Sequence, residues 1–451
     1  MNGNAQSLPS GVPDGDELPR VAVRPPGPRS RQWLARAAAA TAPMGPPEPA
    51  KPIPELITTG IVYARGVGAN VIDVDGNRFV DLAGGFGALL LGHSHQAVVS
   101  AVRRQSEQLL HALGDLHPSD CKVLLSEALA GLIPTHGART ILGQSGADAI
   151  TAALKSASLC SGRPGWVACG ASYHGLGYAP LALCGLRSGY VAPFRAQLNP
   201  HAQRVAYPSV TGEERSLNEL ERALRSGTIG AVVIEPILGR GGIIPVAPGA
   251  LSRVRELTRE HGALLIVDEI WTGLGRSGEW LYSGAECCDA DIVCFGKGLG
   301  GGLPISACVG KPDVMQHWQQ PEEVVHTSTF AGAPLACATA LATLEALRQE
   351  GLVRRSAILG TRWLASLRSR LAGMPAVKEI RGRGMMVGIE LNLGAGGAVA
   401  AMSAMLDRGF IVTTGGGERE VVVLTPPLTI AEPLLEAFVA ELADWLQNRQ
   451  P

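Results

Sequence analysis

A carboxylate, an amine, a stretch of small-residue amides and an aromatic ring stand out in this 451-residue chain as groups that could do chemistry together. Asp268 closes the apolar run "LLIVD"; Lys297 comes 29 residues later, after "IVCF" and before "GLGGGLP". Ser145-Gly146-Ala147 falls between a predicted strand and a predicted helix, and Tyr173-His174-Gly175 follows another predicted strand. Each has an ordinary explanation when taken alone. An Asp after a strand is commonly a helix cap or ion-pair partner, a Ser-Gly before a helix is commonly a cap, and a lone Lys or a Tyr-His loop is usually solvated. Together they describe one site. Asp268 can keep a pyridine nitrogen protonated, which makes the ring an electron sink. Lys297 can form an imine with an aldehyde and then shuttle protons, provided that its amine is partly desolvated. The amides of Gly146 and Ala147, at a helix N-terminus, can cradle a phosphate, and Tyr173 offers a face for a planar ring. Aldehyde, pyridine, phosphate and ring face add up to pyridoxal 5′-phosphate.

Such residues need a scaffold that brings strand ends together. The middle third of the chain alternates short apolar strands with amphipathic helices. Strands are predicted at Thr140–Leu142, at "WVAC" (166–169), and in "GAVVIEP", "GALLIVDE" and "ADIVCFGK", which end at Glu235-Pro236, Asp268-Glu269 and Lys297; a helix is predicted over Ala147–Ser158. This alternation predicts an α/β fold with a mainly parallel sheet covered on both faces, and sites at the C-terminal ends of its strands. Further strands are expected in "VIDVDGNRFVDL", a hairpin around Asp75-Gly76-Asn77, and in "GMMVGIEL" and "REVVVLTP". The domain reading is an irregular Pro/Arg-rich N-terminal arm (1–55) with a short helix near Arg31–Ala40, the first part of a smaller α+β domain (56–109), a large domain (110–335), and the rest of the small domain (336–451). The arm reads either as a disordered tail or as a segment packed on a partner subunit.

Composition narrows the function classes. Hydrophobic residues make up 46% and charged residues 18%, which suits a globular chain. The net charge of -1 argues against nucleic acid or an anionic membrane as the main partner. Of the 39 basic residues only six are Lys, so a mechanism that needs an amine has few candidates. The nine cysteines form no CxxC, which reads as reduced thiols in a cytoplasmic protein, with Cys294 in the core. The uncharged stretches Leu82–Val102 and Trp166–Leu186 are interrupted by Gly, His, Ser or Gln and are rejected as membrane spans. Ala37–Ala40 with nearby Arg faintly suggests a transit peptide, against which Asp14, Asp16 and Glu17 speak. His93-Ser94-His95 lacks further ligands at metal spacing, so no metal site is expected.

The segments "LLIVDEIWTGLGRSGEW", "ADIVCFGKGLGGGLPISACVG" and "HTSTFAGAPLACATALATLE" closely resemble the class III, or omega, aminotransferases, of the 4-aminobutyrate aminotransferase-like kind. "VIDVDGNRFVDLAGGFGALLLGHSH", "GQSGADAITAALKSA", "YHG" and "IEPILGRGG" agree, in order, from about residue 60 onward. The resemblance implies pyridoxal-phosphate fold-type I, with a large domain built on a mainly parallel, seven-stranded-type sheet. It implies that Lys297 holds the cofactor and moves the proton, that Asp268 pairs with the pyridine nitrogen, and that Ile270 packs on the ring face opposite Tyr173. It further implies that Ser145, Gly146 and Ala147 serve the phosphate, that Glu235 supports the surroundings of Asp268, and that Thr329 reaches the neighbouring subunit's cofactor, making a homodimer the active unit. His174 is expected near the cofactor in a structural loop role rather than as a base, since Lys297 already supplies one. Phe86, in "GGFG", and Arg240 are the candidate substrate contacts.

Departures from the family pattern bear on substrate more than on chemistry. Ala147 stands where relatives often have a hydroxyl, and Trp271 where many place Gln against the cofactor's phenolic oxygen; Trp can donate only one N–H. Leu176 and Val423 stand where relatives carry carboxylate-binding arginines, and Arg240 stands where many have Glu. Joint loss of a paired Glu and Arg is physically coherent, because an unpaired buried Glu would be costly. Arg240 then reads as a carboxylate clamp or as a rim residue paired with a surface acid. The expected reaction is ping-pong transfer of an amino group from a primary amine or omega-amino acid to an oxo acid. Alternatives are amination of an oxo sugar or aminocyclitol, an epimerase or aminomutase on the same scaffold, and a cofactor-binding regulator without turnover.

Overall fold

The structure is a computed structural model that describes residues 15–42, 60–447 and 449. Its centre is a seven-stranded sheet in the order Arg139–Gly143, Ser306–Gly310, Ile292–Phe295, Leu264–Asp268, Ile229–Ile234, Gly165–Cys169, Ala202–Val205. Ser306–Gly310 runs antiparallel to both its neighbours, and the other pairings are parallel. The strands are short apolar runs because both faces are covered. Successive side chains alternate between two cores. Ile266, Ala231 and Cys294 face a cluster that includes Ala149, Ala153 and Leu154 of the helix Gly146–Ser161. Leu265, Val267 and Phe295 face the larger core on the other side.

The parallel strands bring their C-terminal ends to one edge. Asp268 ends its strand, Glu235 follows Ile234, the Tyr173 loop follows Cys169, and Lys297 lies two residues past Phe295. The predicted strands at 140–142, 166–169, 264–268 and 292–295 are therefore present, while the strand in "GAVVIEP" stops before Glu235 and leaves its carboxylate free to bond loop amides.

Both ends of the chain meet outside this sheet. The hairpin Asn70–Asp73/Arg78–Asp81 forms around Gly76, whose φ is +89, and Asp73 accepts the Asp75 and Asn77 N–H groups. Phe410–Ile411 adds in parallel to Arg78–Asp81. Val377–Arg383, Met386–Leu391, Val421–Leu424 and Thr413–Gly415 form a separate antiparallel sheet. The described part of the arm is irregular over 15–27 and helical over Pro28–Ala40, and it packs on the chain's own hairpin rather than standing free. Asn70 exchanges bonds with Glu17 N–H and C=O, Asn77 does the same with Val23, and Asp75 caps the helix Pro28–Ala40 at Arg29 and Ser30 N–H. Carboxamides can both donate and accept, so they imitate a strand edge. Residues 1–14 and 43–55 of the predicted arm lie outside the described residues. Among the described residues no helix is long and apolar enough to cross a membrane, and no His/Cys/Asp/Glu group could hold a metal ion.

Candidate active site

The floor of the site is a buried polar cluster at the sheet's C-terminal edge. Asp268 Oδ2 lies 2.7 Å from His174 Nδ1, and Asp268 Oδ1 accepts the Ile270 N–H at 3.1 Å. Burial works against a charged His174, but the hydrogen bond and charge of Asp268 outweigh it and raise the imidazole pKa. Glu235 lies behind this pair and accepts the N–H groups of Tyr173 and Gly239 at 2.7 and 2.9 Å. Burial raises its pKa, with His174 opposing and Asp268 reinforcing the shift. Beside the cluster the helix Gly146–Ser161 begins. Ser145 and Asp148 form a reciprocal capping box, while the Gly146 and Ala147 N–H groups bond nothing among the described residues. These are the unsatisfied amides that make a helix N-terminus an anion site. Ile270 packs against both Gly146 and Gly296, where a Cβ would come within 3.0 and 3.2 Å of it.

Lys297 opens the tight turn Lys297–Gly300 with a φ of +40, a conformation that costs a non-glycine residue energy and is held by its surroundings. Gly298 is required there because a Cβ would lie 2.4 Å from Leu90. The side chain retains a partly open surface toward the cleft, yet dense protein around it desolvates the amine and lowers its pKa. The carboxylates of Asp268 and Glu235 oppose that shift and Arg240 adds to it. Trp271 forms the adjoining wall, with its ring centroid 4.5 Å from Lys297 Nζ. Two glycines make its slot: a Cβ on Gly87 would lie 2.2 Å from the indole nitrogen, and one on Gly239 would lie 2.3 Å from the ring. Among the described residues, the buried indole N–H has no partner, and neither has His174 Nε2.

At the mouth, Tyr173 meets Tyr190 edge-on at 6.0 Å, and the Arg240 guanidinium lies 4.8 Å from the Tyr173 ring centroid. Burial raises the Tyr173 pKa, and Arg240 counters the shift. Arg240 makes no ion pair within 4.0 Å of any acid among the described residues. Phe86 is 58% exposed in the turn Gly84–Gly87, where all four residues have positive φ. Asp81 fixes the start of that turn by accepting the Ala83 and Gly84 N–H groups, and it also bonds His93.

Residues 55–446 match the family model for class-III aminotransferases. The chain belongs to that family. It is 38% identical over 388 residues to an acetylornithine aminotransferase of Mycobacterium tuberculosis, covering 85% of this chain and 91% of that protein. An acetylornithine aminotransferase of Methanosarcina acetivorans is 33% identical, with 84% and 90% covered. Among solved structures, an ornithine aminotransferase from Toxoplasma gondii with partial occupancy of PLP at its active site superposes with a TM-score of 0.81 at 29% identity, covering 92% of this chain and 94% of that one. The fold is the fold-type I architecture of pyridoxal-phosphate aminotransferases.

Pyridoxal 5′-phosphate is the cofactor of class-III aminotransferases, and the donor set here fits it. The free amides at Gly146 and Ala147, the unpartnered Trp271 N–H and the desolvated Lys297 amine offer a phosphate, an oxygen and an aldehyde their respective partners. Asp268 has already used one lone pair on each oxygen, but a carboxylate has about four lone-pair sites and can accept again.

The structure gathers most of the residues singled out in the sequence of this aminotransferase. Ser145, Gly146, Ala147, Tyr173, His174, Glu235, Asp268, Ile270, Trp271, Lys297 and Arg240 are linked through the contacts above. Phe86 is tied to them through Gly87, which abuts Trp271. Thr329 is exposed in a turn; its neighbour Ser328 accepts from Gln144, just before Ser145, and Thr329 itself bonds no site residue of its own chain among the described residues. Leu176 is exposed, while Val423 is buried in a sheet against Gly415. Cys294 is fully buried, as expected of a core thiol. Sequence reasoning missed the direct His174–Asp268 bond, the glycine slot for Trp271 and Arg187, which bonds Gly416 and Gly417. The adjacency of His174 to Tyr173 was the one available signal.

Proposed function

We propose that this class-III aminotransferase takes its amino group from a primary ω-amine or ω-amino acid, and that Arg240 receives the carboxylate of the oxo-acid acceptor. When bound, the cofactor supplies an aldehyde that condenses with amines and a ring that accepts an electron pair. The chain's residues do the rest. Asp268, oriented by His174 and the Ile270 N–H, stabilises a proton on the ring nitrogen. Lys297, whose lowered pKa increases its neutral fraction near pH 7, removes the proton from the carbon that bears the donor's amino group. Gly146 and Ala147 amides hold the phosphate, with Ser145 ordering the helix start, and Tyr173 and Ile270 bracket the ring.

The single observation that carries this reading is the placement of Lys297, held at a φ of +40 with its Nζ 4.5 Å from the Trp271 ring centroid, at the same sheet edge as Asp268 and Glu235. Borohydride reduction of the cofactor-loaded enzyme followed by peptide mapping is expected to place a pyridoxyl group on Lys297. A label on Lys155 or Lys311 would overturn it. Relatives named for acetylornithine and ornithine favour an ω-amino acid donor. The apolar Leu176 and Val423 favour Arg240 as the carboxylate contact, with Phe86 lining the donor side.

The active unit we infer is a homodimer with Thr329 delivered to the partner's phosphate. Leu109, Leu110, Leu113, Leu116, Val324 and Phe330 are all exposed, and the His111 ring meets the Phe330 ring at a tilt with centroids 5.2 Å apart, so the two segments form one apolar face next to Thr329. A patch of this kind calls for a covering partner. Nine free cysteines favour a reducing, cytoplasmic setting. The contiguous large sheet and the pairing of both chain ends support a large unit over 110–335 and a small one from 56–109 and 336–451.

A further inference from the structure

We infer that Arg187 is a positioning residue for Arg240, acting through the glycine tip Gly415-Gly416-Gly417; the inference rests on Arg240 being the carboxylate clamp. Arg187 sits on the connection that follows the strand Gly165–Cys169 of the large sheet. Its Nε donates to Gly417 C=O at 2.9 Å and its Nη2 to Gly416 C=O at 2.8 Å. Those carbonyls belong to the tip between the strands Thr413–Gly415 and Val421–Leu424 of the separate antiparallel sheet. Gly416 N–H in turn donates to the Arg240 C=O at 2.9 Å. One guanidinium thus ties the connection after the Gly165–Cys169 strand to the tip of the antiparallel sheet that also bonds the Arg240 carbonyl.

Several features make this contact specific to position rather than general packing. Three consecutive glycines have more backbone freedom to lose than any other tripeptide, so the tip needs an external anchor to hold one shape. Gly416 has a φ of +86, and a Cβ on Gly415 would lie 3.2 Å from the Arg240 carbonyl and 2.8 Å from Val423, so the tip lies flat against the Arg240 loop. The far end of that loop is held independently, by Arg381 Nε on the Gly242 carbonyl at 2.9 Å. Arg187 also precedes the turn Ser188–Val191, whose Tyr190 meets the Tyr173 ring over which Arg240 lies. A guanidinium fork suits two consecutive carbonyls in a way that a lysine ammonium does not.

The test compares R187A, R187K, R240A and the double variant R187A/R240A, all loaded with cofactor. For R187A the KM for the oxo acid is expected to rise about three- to tenfold, the effect of one or two ordinary hydrogen bonds. The half-reaction with a carboxylate-free amine is expected to move by less than about twofold, within the scatter of single-site effects. Hydrogen–deuterium exchange over 413–420 should accelerate in R187A, and R187K should fall with R187A. In the double variant the KM effect of R187A should vanish, because its only route is through Arg240. Unchanged exchange in R187A would overturn the pin. An R187A effect that persists in the R240A background would show that Arg187 touches the carboxylate itself, and would also overturn the inference. If R240A alone leaves the oxo-acid KM unchanged, the clamp reading fails first, and the exchange data identify which of the two ideas broke.

Discussion

The floor of this site and its mouth are built in opposite ways. The floor hangs on strand ends and a helix start: Asp268 ends a strand paired on both sides, Glu235 directly follows another strand, the Gly146–Ala147 amides open a helix capped by Ser145 and Asp148, and each carboxylate is satisfied by named donors. The mouth is assembled from loops, with Arg240 over Tyr173, a triple-glycine tip and a turn of four positive-φ residues carrying Phe86. Chemistry that tolerates little displacement sits on rigid elements, and recognition sits on segments that can vary without disturbing it. Changes in the floor should therefore abolish turnover for every substrate, whereas changes in the mouth should alter which substrate is used.

The largest expected effect is at Lys297. Lys297→Met should reduce transamination by about 10³-fold or more for every amine, since a positioned proton carrier contributes roughly 10²–10⁴ on its own. Single-turnover rates with several donors check this, and a residual rate that differs strongly between donors would break the floor–mouth distinction. The same variant tests the desolvation of the amine without the cofactor. Lys297 has a folded-state pKa below its unfolded value, so between the two the unfolded chain binds more protons and stability rises with pH. Cofactor-free Lys297→Met should thus melt above the native protein at neutral pH. The gap should close as pH climbs toward about 10.4, the ordinary lysine value. A gap independent of pH would mean that burial does not penalise the ammonium.

Asp268→Asn comes next. The amide preserves shape and can still meet His174, but it cannot stabilise a protonated ring nitrogen. A loss of about 10² in the half-reaction is expected, comparable with removal of other preorganised electrostatic groups, with cofactor still retained on gel filtration. Near-normal turnover would move the ring elsewhere in the floor. At the mouth, Arg240→Ala should raise the oxo-acid KM by an amount corresponding to about 1.5–3 kcal/mol, the range for a hydrogen bond to a charged group. A carboxylate-free amine should scarcely notice the change. Equal losses in both half-reactions would place Arg240 in the floor rather than the mouth.

The same division marks what the sequence disclosed. Floor residues were legible because they stand at or just past the end of an apolar run of strand length: Asp268 ends "LLIVD", and Lys297 comes just past "IVCF", after Gly296. Periodicity and a strand-end position marked them as candidates, and the family resemblance added the roles of Ile270 and Glu235. The mouth was legible only as departures, at Leu176, Arg240 and Val423, because its geometry comes from contacts between distant loops. Nothing local marks Gly87 and Gly239 as the two sides of one tryptophan slot, or Arg187 as the partner of carbonyls 229 and 230 residues away. The arm's docking on the hairpin was not legible for a similar reason. A Pro/Arg-rich stretch has no hydrophobic period, and its docking depends on Asn70, Asp75 and Asn77, which read in sequence as hairpin residues.

Trp271 stands on the border between the two regions, and the smallest predicted effect tests which one it serves. Its ring is fixed by Gly87 and Gly239 like a floor element, yet its N–H is left unpaired in the protein alone. Trp271→Phe keeps an aromatic face beside Lys297 and removes that donor. In the cofactor-free protein the change should be neutral or slightly stabilising, because an unsatisfied buried N–H costs about 1–3 kcal/mol. With cofactor bound the sign should reverse: if the N–H donates to a cofactor oxygen, its loss should weaken cofactor retention by roughly 0.5–1.5 kcal/mol. Paired melting curves with and without pyridoxal 5′-phosphate measure both. A change of the same sign and size in the two states would mean that the N–H meets neither cofactor nor substrate, and that Trp271 is only a wall of the mouth.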